Sequence, residues 1–442
     1  MGHGKLGILV AGGPAPGINS VIGAATIRSN LSGVEVLGIQ DGFANLMAGE
    51  TAASRPLTIA EVSRIHFRGG SIIGISRANP TTDPMLLDRC LASLARLNVT
   101  HLITIGGDDT AYSAMNLERR SHWALRVVHV PKTIDNDLGL PDYVDTFGFK
   151  TARHVGADLV KNLMVDAYTT SRWYFVVAMG RKAGHLALGI GKTAGATLTL
   201  IPEEFQAHPI PLDVLVDTLI GAILKRSAEG RRHGVAVIAE GLALSLDPED
   251  IAGIEDVECD EYGNVRLAEV DIGQLLKRTV RRQLAALGLE VTIVDKNIGY
   301  ELRCADPIPS DMEYTRDLGY CAAEYLLEGG SGAMVSIQAG RFVEIPFGQL
   351  VDPDTGRTRV RLVDIKSTRY LVAREYMIRL RSSDFTHPER LAELARVAGL
   401  DAEKFRDRFK YVTDHEPPAL HIRNHQAETG RTAAVGDAND GV

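Results

Sequence analysis

The sequence predicts an α/β protein built on parallel sheets, and three observations carry that prediction. Short apolar runs recur along the chain and end in glycine or proline loops. Longer amphipathic stretches separate them, as crossover helices would. The segments richest in reactive side chains all lie where the apolar runs end, which is where ligands sit in parallel α/β sheets.

Taken in order, Leu6–Ala11 (LGILVA) reads as a buried strand, followed by a glycine turn and a helix from about Ile18. Val34–Gln40 reads as a second strand. Leu102–Ile105 (LITI) runs into Gly106-Gly107, and Arg126–Val130 (RVVHV) runs into Pro131. Trp173–Ala178 (WYFVVA) and Gly234–Ala239 (GVAVIA) repeat the style. Pro202–Pro211 reads as a long connection. Lys277–Gln283 (KRTVRRQ) is a basic run on a helical pattern and reads as a solvated helix face. From Arg423 onward the chain is polar and rich in Gly, Ala and Asp, which predicts a disordered tail over 423–442.

Length and charge narrow the class. With 442 residues, 45% of them hydrophobic, the chain can bury a large core and predicts two or more domains. Forty-eight Lys and Arg against 56 Asp and Glu leave a net charge of −8. A mildly acidic chain predicts no general binding to nucleic acid or membrane surfaces. No stretch approaches the ~18 apolar residues that span a bilayer. The N-terminal apolar run is too short for a signal sequence, and Leu6 breaks the myristoylation pattern despite Gly2. Cys90, Cys259, Cys304 and Cys321 form no CxxC pair and suit a reducing compartment. These features predict a cytoplasmic protein.

Three loops carry the chemistry. Gly12-Gly13-Pro14-Ala15-Pro16-Gly17-Ile18-Asn19 follows a strand and opens a helix, so its amides can approach an anion. It is neither a Walker A loop nor a GxGxxG fingerprint, and a plain tight turn explains it equally well. Gly106-Gly107-Asp108-Asp109-Thr110 sets adjacent carboxylates after a strand. These suit Mg²⁺, a hard cation held by one or two carboxylates plus substrate phosphates, or else a helix cap over Thr110–Leu117. Pro131-Lys132-Thr133-Ile134-Asp135-Asn136-Asp137 offers a phosphate-binding lysine and a carboxylate base, or an Asx-rich turn. Together, an anion cradle, metal carboxylates and a base describe phosphoryl transfer.

At these residues the chain resembles the phosphofructokinase family. The matches are GGPAPGIN at 12–19, GGDDT at 106–110, PKTIDND at 131–137, MGRKAGHLA at 179–187, the Glu240-Gly241 strand end and GYELR at 299–303, in family order over roughly residues 5–330. PKTIDND with MGR is highly specific; beyond about 330 the resemblance weakens and implies an extension. It implies two Rossmann-like parallel-sheet domains with the active site in the cleft between them. Residues 1–146, completed by part of 300–400, would bind the donor and 147–299 the sugar phosphate. It further implies Asp135 as general base with Asp137 beside it, Asp108 as the Mg²⁺ carboxylate, and Gly12, Gly13, Arg77, Asp109 and Lys132 on the diphosphate. Thr133, Ile134, Asp135, Met179, Gly180, Arg181 and Glu240 would contact the sugar, and Tyr300 and Arg303 its 6-phosphate. Arg172 would reach a neighbouring subunit's site, implying a homodimer or homotetramer.

The donor turns on two positions. ATP-using relatives carry glycine where this chain has Asp109 and Lys132. A carboxylate at 109 would take the place of a nucleotide α-phosphate, and Lys132 suits a bare phosphate. The resemblance is therefore to the pyrophosphate-using branch, acting on fructose 6-phosphate. Cys304-Ala305-Asp306-Pro307, where bacterial ATP enzymes place glycines, also fits that branch. An ATP-dependent enzyme is the alternative. Lipid and NAD kinases share a GGDG-like loop but lack PKTIDND and MGR. Intact Asp108, Asp135 and Arg181 argue against a non-catalytic paralogue. Sedoheptulose 7-phosphate remains open as a second acceptor.

Overall fold

A computed structural model describes residues 4–252, 266–351, 358–414, 416–417 and 420. The tail expected over 423–442, and Cys259, lie outside the described residues. The fold holds two sheets. The larger is formed by β1 (Lys5–Val10), β2 (Val36–Ile39), β3 (Ser54–Leu57), β4 (Val99–Gly106), β5 (Arg126–Thr133) and the short β6 (Phe147–Gly148), with two strands from much later in the chain. The smaller contains β7 (Trp173–Ala178), β8 (Leu198–Leu200), β9 (Gly234–Ala239) and β10 (Ile293–Ile298) in the order β10-β7-β9-β8, all parallel. The late strands are β11 (Ala333–Gln338) and β12 (Arg341–Pro346). They extend the large sheet to the order β12-β11-β5-β4-β1-β2-β3. Its centre is parallel, and the outer pairs β2–β3 and β11–β12 are antiparallel.

The apolar runs are apolar because both faces are covered. Every residue of β7 and β9 is buried, as parallel strands under helices on both sides require. In the large sheet α1 (Ile18–Leu31) follows β1, and α2 (Asp108–Arg120) follows β4. In the small sheet α3 (Phe149–Thr170) precedes β7, and α4 (His185–Ala194), α5 (Leu212–Ala228) and α6 (Ile272–Ala286) lie between or beside its strands. A later helix, α7 (Pro309–Leu327), packs along α1. Gly319 permits that approach: a Cβ there would lie 2.4 Å from the Val21 carbonyl.

Two readings are refined. The Pro202–Pro211 connection contains a 3₁₀ turn, Pro202–Glu204, in which the Glu204 side chain is buried. It accepts from Arg379 at 2.8 Å, Arg374 at 3.1 Å and Tyr370 Oη at 2.9 Å. The region after residue 360 is thereby clamped onto the small-sheet half. The basic run on α6 is only partly a solvated face, since Lys277 pairs with Asp295 of β10 at 2.6 Å.

Candidate active site

The carboxyl ends of β1, β4 and β5 face those of β7, β9 and β10 across a cleft of about 710 Å³. Strand ends in parallel sheets leave amides and first helical turns free to point into such a space. On the large-sheet side, Gly12 adopts φ 85°, a left-handed conformation that suits glycine. Its amide donates to Ser76 O at 2.9 Å, which brings Arg77 alongside. A Cβ at Gly12 would lie 3.5 Å from Lys132 Nζ, and one at Gly13 would lie 3.1 Å from Arg303 Nη1. The glycine loop is thus flanked by two cations at close range.

Lys132 is buried at the end of β5, and its ammonium donates to the Gly13 carbonyl. Burial lowers its pKa to about 8, with Asp135 opposing that shift and Arg303 and Arg77 adding to it. Asp108 and Asp109 occupy the first turn of α2, where carboxylates complement the helix N-terminus. The helix begins two residues before the expected Thr110, and neither carboxylate caps it from outside. Asp108 accepts from the Asp109 amide at 2.9 Å and from Lys182 Nζ across the cleft. Beneath this loop His129 is fully buried, Nε2 against Gly106 O at 3.0 Å and Nδ1 against Thr104 Oγ1 at 2.9 Å. Burial holds it well below the usual imidazole range, so it stays neutral and ties β4 to β5.

Asp135 and Asp137 follow Lys132 and keep one edge open to the cleft. Asp135 is raised to about 7, first by burial, then by the charges of Asp137 and Glu240, with Lys132 pulling the other way. Asp137 is also raised, by burial and by Asp108. The loop turns at Asn136, φ 58°, whose side chain accepts from the Thr146 amide at 2.9 Å.

The small-sheet side supplies the opposite wall. Glu240, at the end of β9, accepts from the Gly180 amide at 3.2 Å, and Arg181 Nε lies 4.0 Å from its other oxygen. Met179 closes the end of β7, and its amide donates to Ile298 O at 3.1 Å. Beyond Gly299, the short Tyr300–Arg303 helix turns the Arg303 guanidinium over the Tyr300 ring at 4.6 Å.

The cleft brings together Gly12, Gly13, Arg77, Asp108, Asp109, Lys132, Thr133, Ile134, Asp135, Asp137, Met179, Arg181, Glu240, Tyr300 and Arg303. Gly180 contributes its amide from behind Glu240. Arg172 does not join them within one chain. It precedes β7, whose six residues span about 20 Å, and its Nε lies 4.0 Å from Asp166. Two residues escaped the sequence reading. Lys182, inside MGRKAGHLA, pairs with Asp108. Arg361 is buried against the Asn136–Val144 loop from more than 200 positions away, and no local motif marks it.

Among the described residues no three His, Cys, Asp or Glu side chains converge to hold a metal alone. Asp108, Asp135 and Asp137 repel one another across this part of the cleft, and the Lys182 ammonium stands against them. A hard cation such as Mg²⁺ needs one or two carboxylates, with water and substrate phosphates completing its shell.

The phosphofructokinase family model matches residues 5–326. The chain is 52% identical over 415 residues to the pyrophosphate–fructose 6-phosphate 1-phosphotransferase of Thermotoga maritima, covering 93% of this chain and 99% of that one. It is 48% identical over 416 residues to the Naegleria fowleri protein of the same name, covering 92% and 95%. A solved pyrophosphate-dependent phosphofructokinase from Nitrosospira multiformis shares the fold, with TM-score 0.64, 17% identity, and coverage of 84% and 90%.

Proposed function

Because the chain belongs to the phosphofructokinase family, we propose that it transfers a phosphoryl group reversibly from pyrophosphate to the 1-hydroxyl of fructose 6-phosphate. The products are fructose 1,6-bisphosphate and phosphate, in glycolysis and gluconeogenesis. The observation that carries this reading is the pair Asp109 and Lys132 on one cleft wall. The buried ammonium lies at the glycine loop, and the carboxylate stands in the first turn of α2 on the same wall. A short donor gains the ammonium without meeting the carboxylate, whereas a nucleotide would bring like charge against it.

Asp135 is the general base. Burial and neighbouring carboxylates raise its pKa toward working pH, where a base accepts a proton most effectively. It takes the proton from the 1-hydroxyl with the Asp137 carboxyl beside it. Lys132, Arg77 and the amides of Gly12 and Gly13 receive the donor, and Arg181 offsets charge on the transferring phosphoryl group. Glu240, Thr133, Ile134, Met179 and Gly180 orient the sugar, and Tyr300 and Arg303 hold the 6-phosphate. Asp108 would hold Mg²⁺, which neutralises phosphate charge when bound. Lys182 must release Asp108 for that.

The large sheet with β11 and β12 supports a donor-binding unit of residues 1–146 completed from 300–400, and the small sheet a sugar-phosphate unit over 147–299. Arg172, remote from its own cleft, supports a homodimer or homotetramer; a fully active monomer in light scattering would remove that part. No described helix is long and apolar enough to cross a membrane. The deciding experiment is a coupled assay of purified protein with fructose 6-phosphate and Mg²⁺, with pyrophosphate and ATP in parallel. Turnover with ATP and none with pyrophosphate would overturn the donor.

A further inference from the structure

The donors of the buried Arg361 guanidinium all go to one stretch of chain. Nε and Nη2 reach the Asn136 carbonyl at 3.1 and 3.0 Å. Nη1 reaches the carbonyls of Pro141 and Val144 at 2.9 and 2.8 Å and of Leu140 at 3.3 Å. The Arg361 amide donates to the Asp137 carbonyl at 2.8 Å, and Val360 bridges Leu138 in antiparallel register. One residue therefore grips the carbonyls on both sides of Asp137, two residues from Asp135.

Two features make this grip more than packing. Asn136 is a non-glycine residue at φ 58°, a left-handed conformation that persists where the surrounding bonds hold it. The guanidinium supplies several of those bonds. The same segment also reaches the other sheet. The Arg361 carbonyl accepts from His185 Nε2 at 3.1 Å, and the Val363 amide donates at 3.1 Å to Glu203 Oε1, which also accepts from the Gly184 amide at 2.8 Å. Residues 358–363 thus form a strap from the Asp135 loop to the start of α4, across the two cleft walls. The strap lies beyond the stretch matched by the family model.

We propose that Arg361 is a positioning residue for the phosphoryl transfer: through the 136–144 loop it fixes the Asp135 and Asp137 carboxylates against the opposite wall. The proposal rests on the reading of Asp135 as base given above. Arg361 touches no reacting atom in this scheme. Its loss should therefore leave sugar-phosphate binding, which comes mainly from the other wall and from Thr133 and Ile134 ahead of the gripped stretch, nearly intact while turnover falls. A displacement of about 1 Å in a reacting group can cost ~10²-fold.

The test compares full-length Arg361→Met and Arg361→Lys with Arg226→Met. Arg226 is equally buried but donates to the His233 carbonyl just before β9, at the strand end away from the cleft. With pyrophosphate, fructose 6-phosphate and Mg²⁺, Arg361→Met should lose about 10- to 100-fold in kcat with KM for fructose 6-phosphate within about threefold. Arg361→Lys should recover part of that loss. Arg226→Met should lower the melting temperature and leave kcat per folded molecule unchanged. Should the Met variant fail to fold, the Lys variant decides by the same split. Wild-type kcat in folded Arg361 variants, or an equal kcat loss in Arg226→Met, overturns the proposal. A wild-type chain that used only ATP would instead overturn the donor reading, and the Arg361 comparison would be run with ATP.

Discussion

Replacing Lys132 with methionine keeps a buried apolar stem and removes only the ammonium. That charge sits at the Gly13 carbonyl and among Asp135, Arg303 and Arg77, where little water competes for it. One charged donor to a transferring phosphate in such a site is worth about 3–4 kcal/mol. That corresponds to a loss of roughly 150- to 900-fold in turnover. The pH dependence gives a second handle. Lys132 is lowered to about 8, so its ammonium is present below that pH and lost above it. Wild-type kcat/KM for pyrophosphate, which reports the free enzyme, should fall as pH rises through about 8. Lys132→Arg, always charged, should remove that alkaline limb even if geometry lowers its maximum. Lys132 also pulls the Asp135 pKa down, so Lys132→Met should move the acid limb to higher pH. Initial rates in a coupled assay from about pH 5.5 to 9.5 read all three effects. Turnover of Lys132→Met within threefold of wild type, or an alkaline limb unchanged in Lys132→Arg, would refute the reasoning.

Asp135→Asn should leave fructose 6-phosphate affinity within a few-fold and cut turnover by roughly 10²–10⁴; near-normal turnover removes Asp135 as base. The folded pKa of Asp135 lies above its unfolded value of about 4, so its ionised form costs stability above about pH 7, and that cost fades as pH falls toward 4. Asp135→Asn should accordingly raise the melting temperature at pH 8 and hardly at pH 4.5, which calorimetry checks. Chelation of divalent cations should abolish activity, and Asp108→Ala should stay largely inactive at any Mg²⁺ concentration; an active EDTA-treated enzyme contradicts this. Asp109→Gly should bring measurable ATP use and lower pyrophosphate use, and absence of ATP turnover in that variant would show that the carboxylate is not the gate.

The elements legible in the sequence were those whose neighbours are local or whose faces are both covered. Trp173–Ala178 and Gly234–Ala239 match β7 and β9 residue for residue, because full burial demands an unbroken apolar run. β10 (IVDKNI) escaped notice, since the middle of this edge strand carries Asp295, Lys296 and Asn297 on partly open faces. β11 reaches its partner β5 only after some 200 intervening residues, a placement no local pattern encodes, and β12 joins β11 through a tight hairpin at Ala339-Gly340. The site divides in the same way. Glycines, carboxylates and Lys132 stand in short loops whose spacing is itself the signal. Lys182 was visible as a residue but not as the partner of Asp108, which is 74 positions away. Arg361 carries no motif because its ligands are backbone carbonyls, which any sequence supplies.

The charges lining the cleft show why donor and metal belong together. Arg77, Lys132, Arg181, Lys182 and Arg303 face Asp108, Asp109, Asp135, Asp137, Glu240, Glu269, Asp271 and Glu301. Carboxylates outnumber cations, so a polyanion entering alone would meet repulsion from the wall that must orient it. At about 4 Å and an effective dielectric near 20, each unit-charge pair is worth about 4 kcal/mol, enough to decide entry. A divalent counter-ion cancels two of the pyrophosphate's charges and gives the carboxylates a cation to meet, so the repulsion falls. The same acids contribute to the tuning of Asp135. Burial is the first cause of its raised pKa and the charges of Asp137 and Glu240 come next, so a cation bound beside them would lower that pKa by their share and leave the share of burial. Asp109 adds its charge to this wall from the first turn of α2. On the proposed scheme it excludes a nucleotide there, while the base chemistry belongs to the loop held by Arg361.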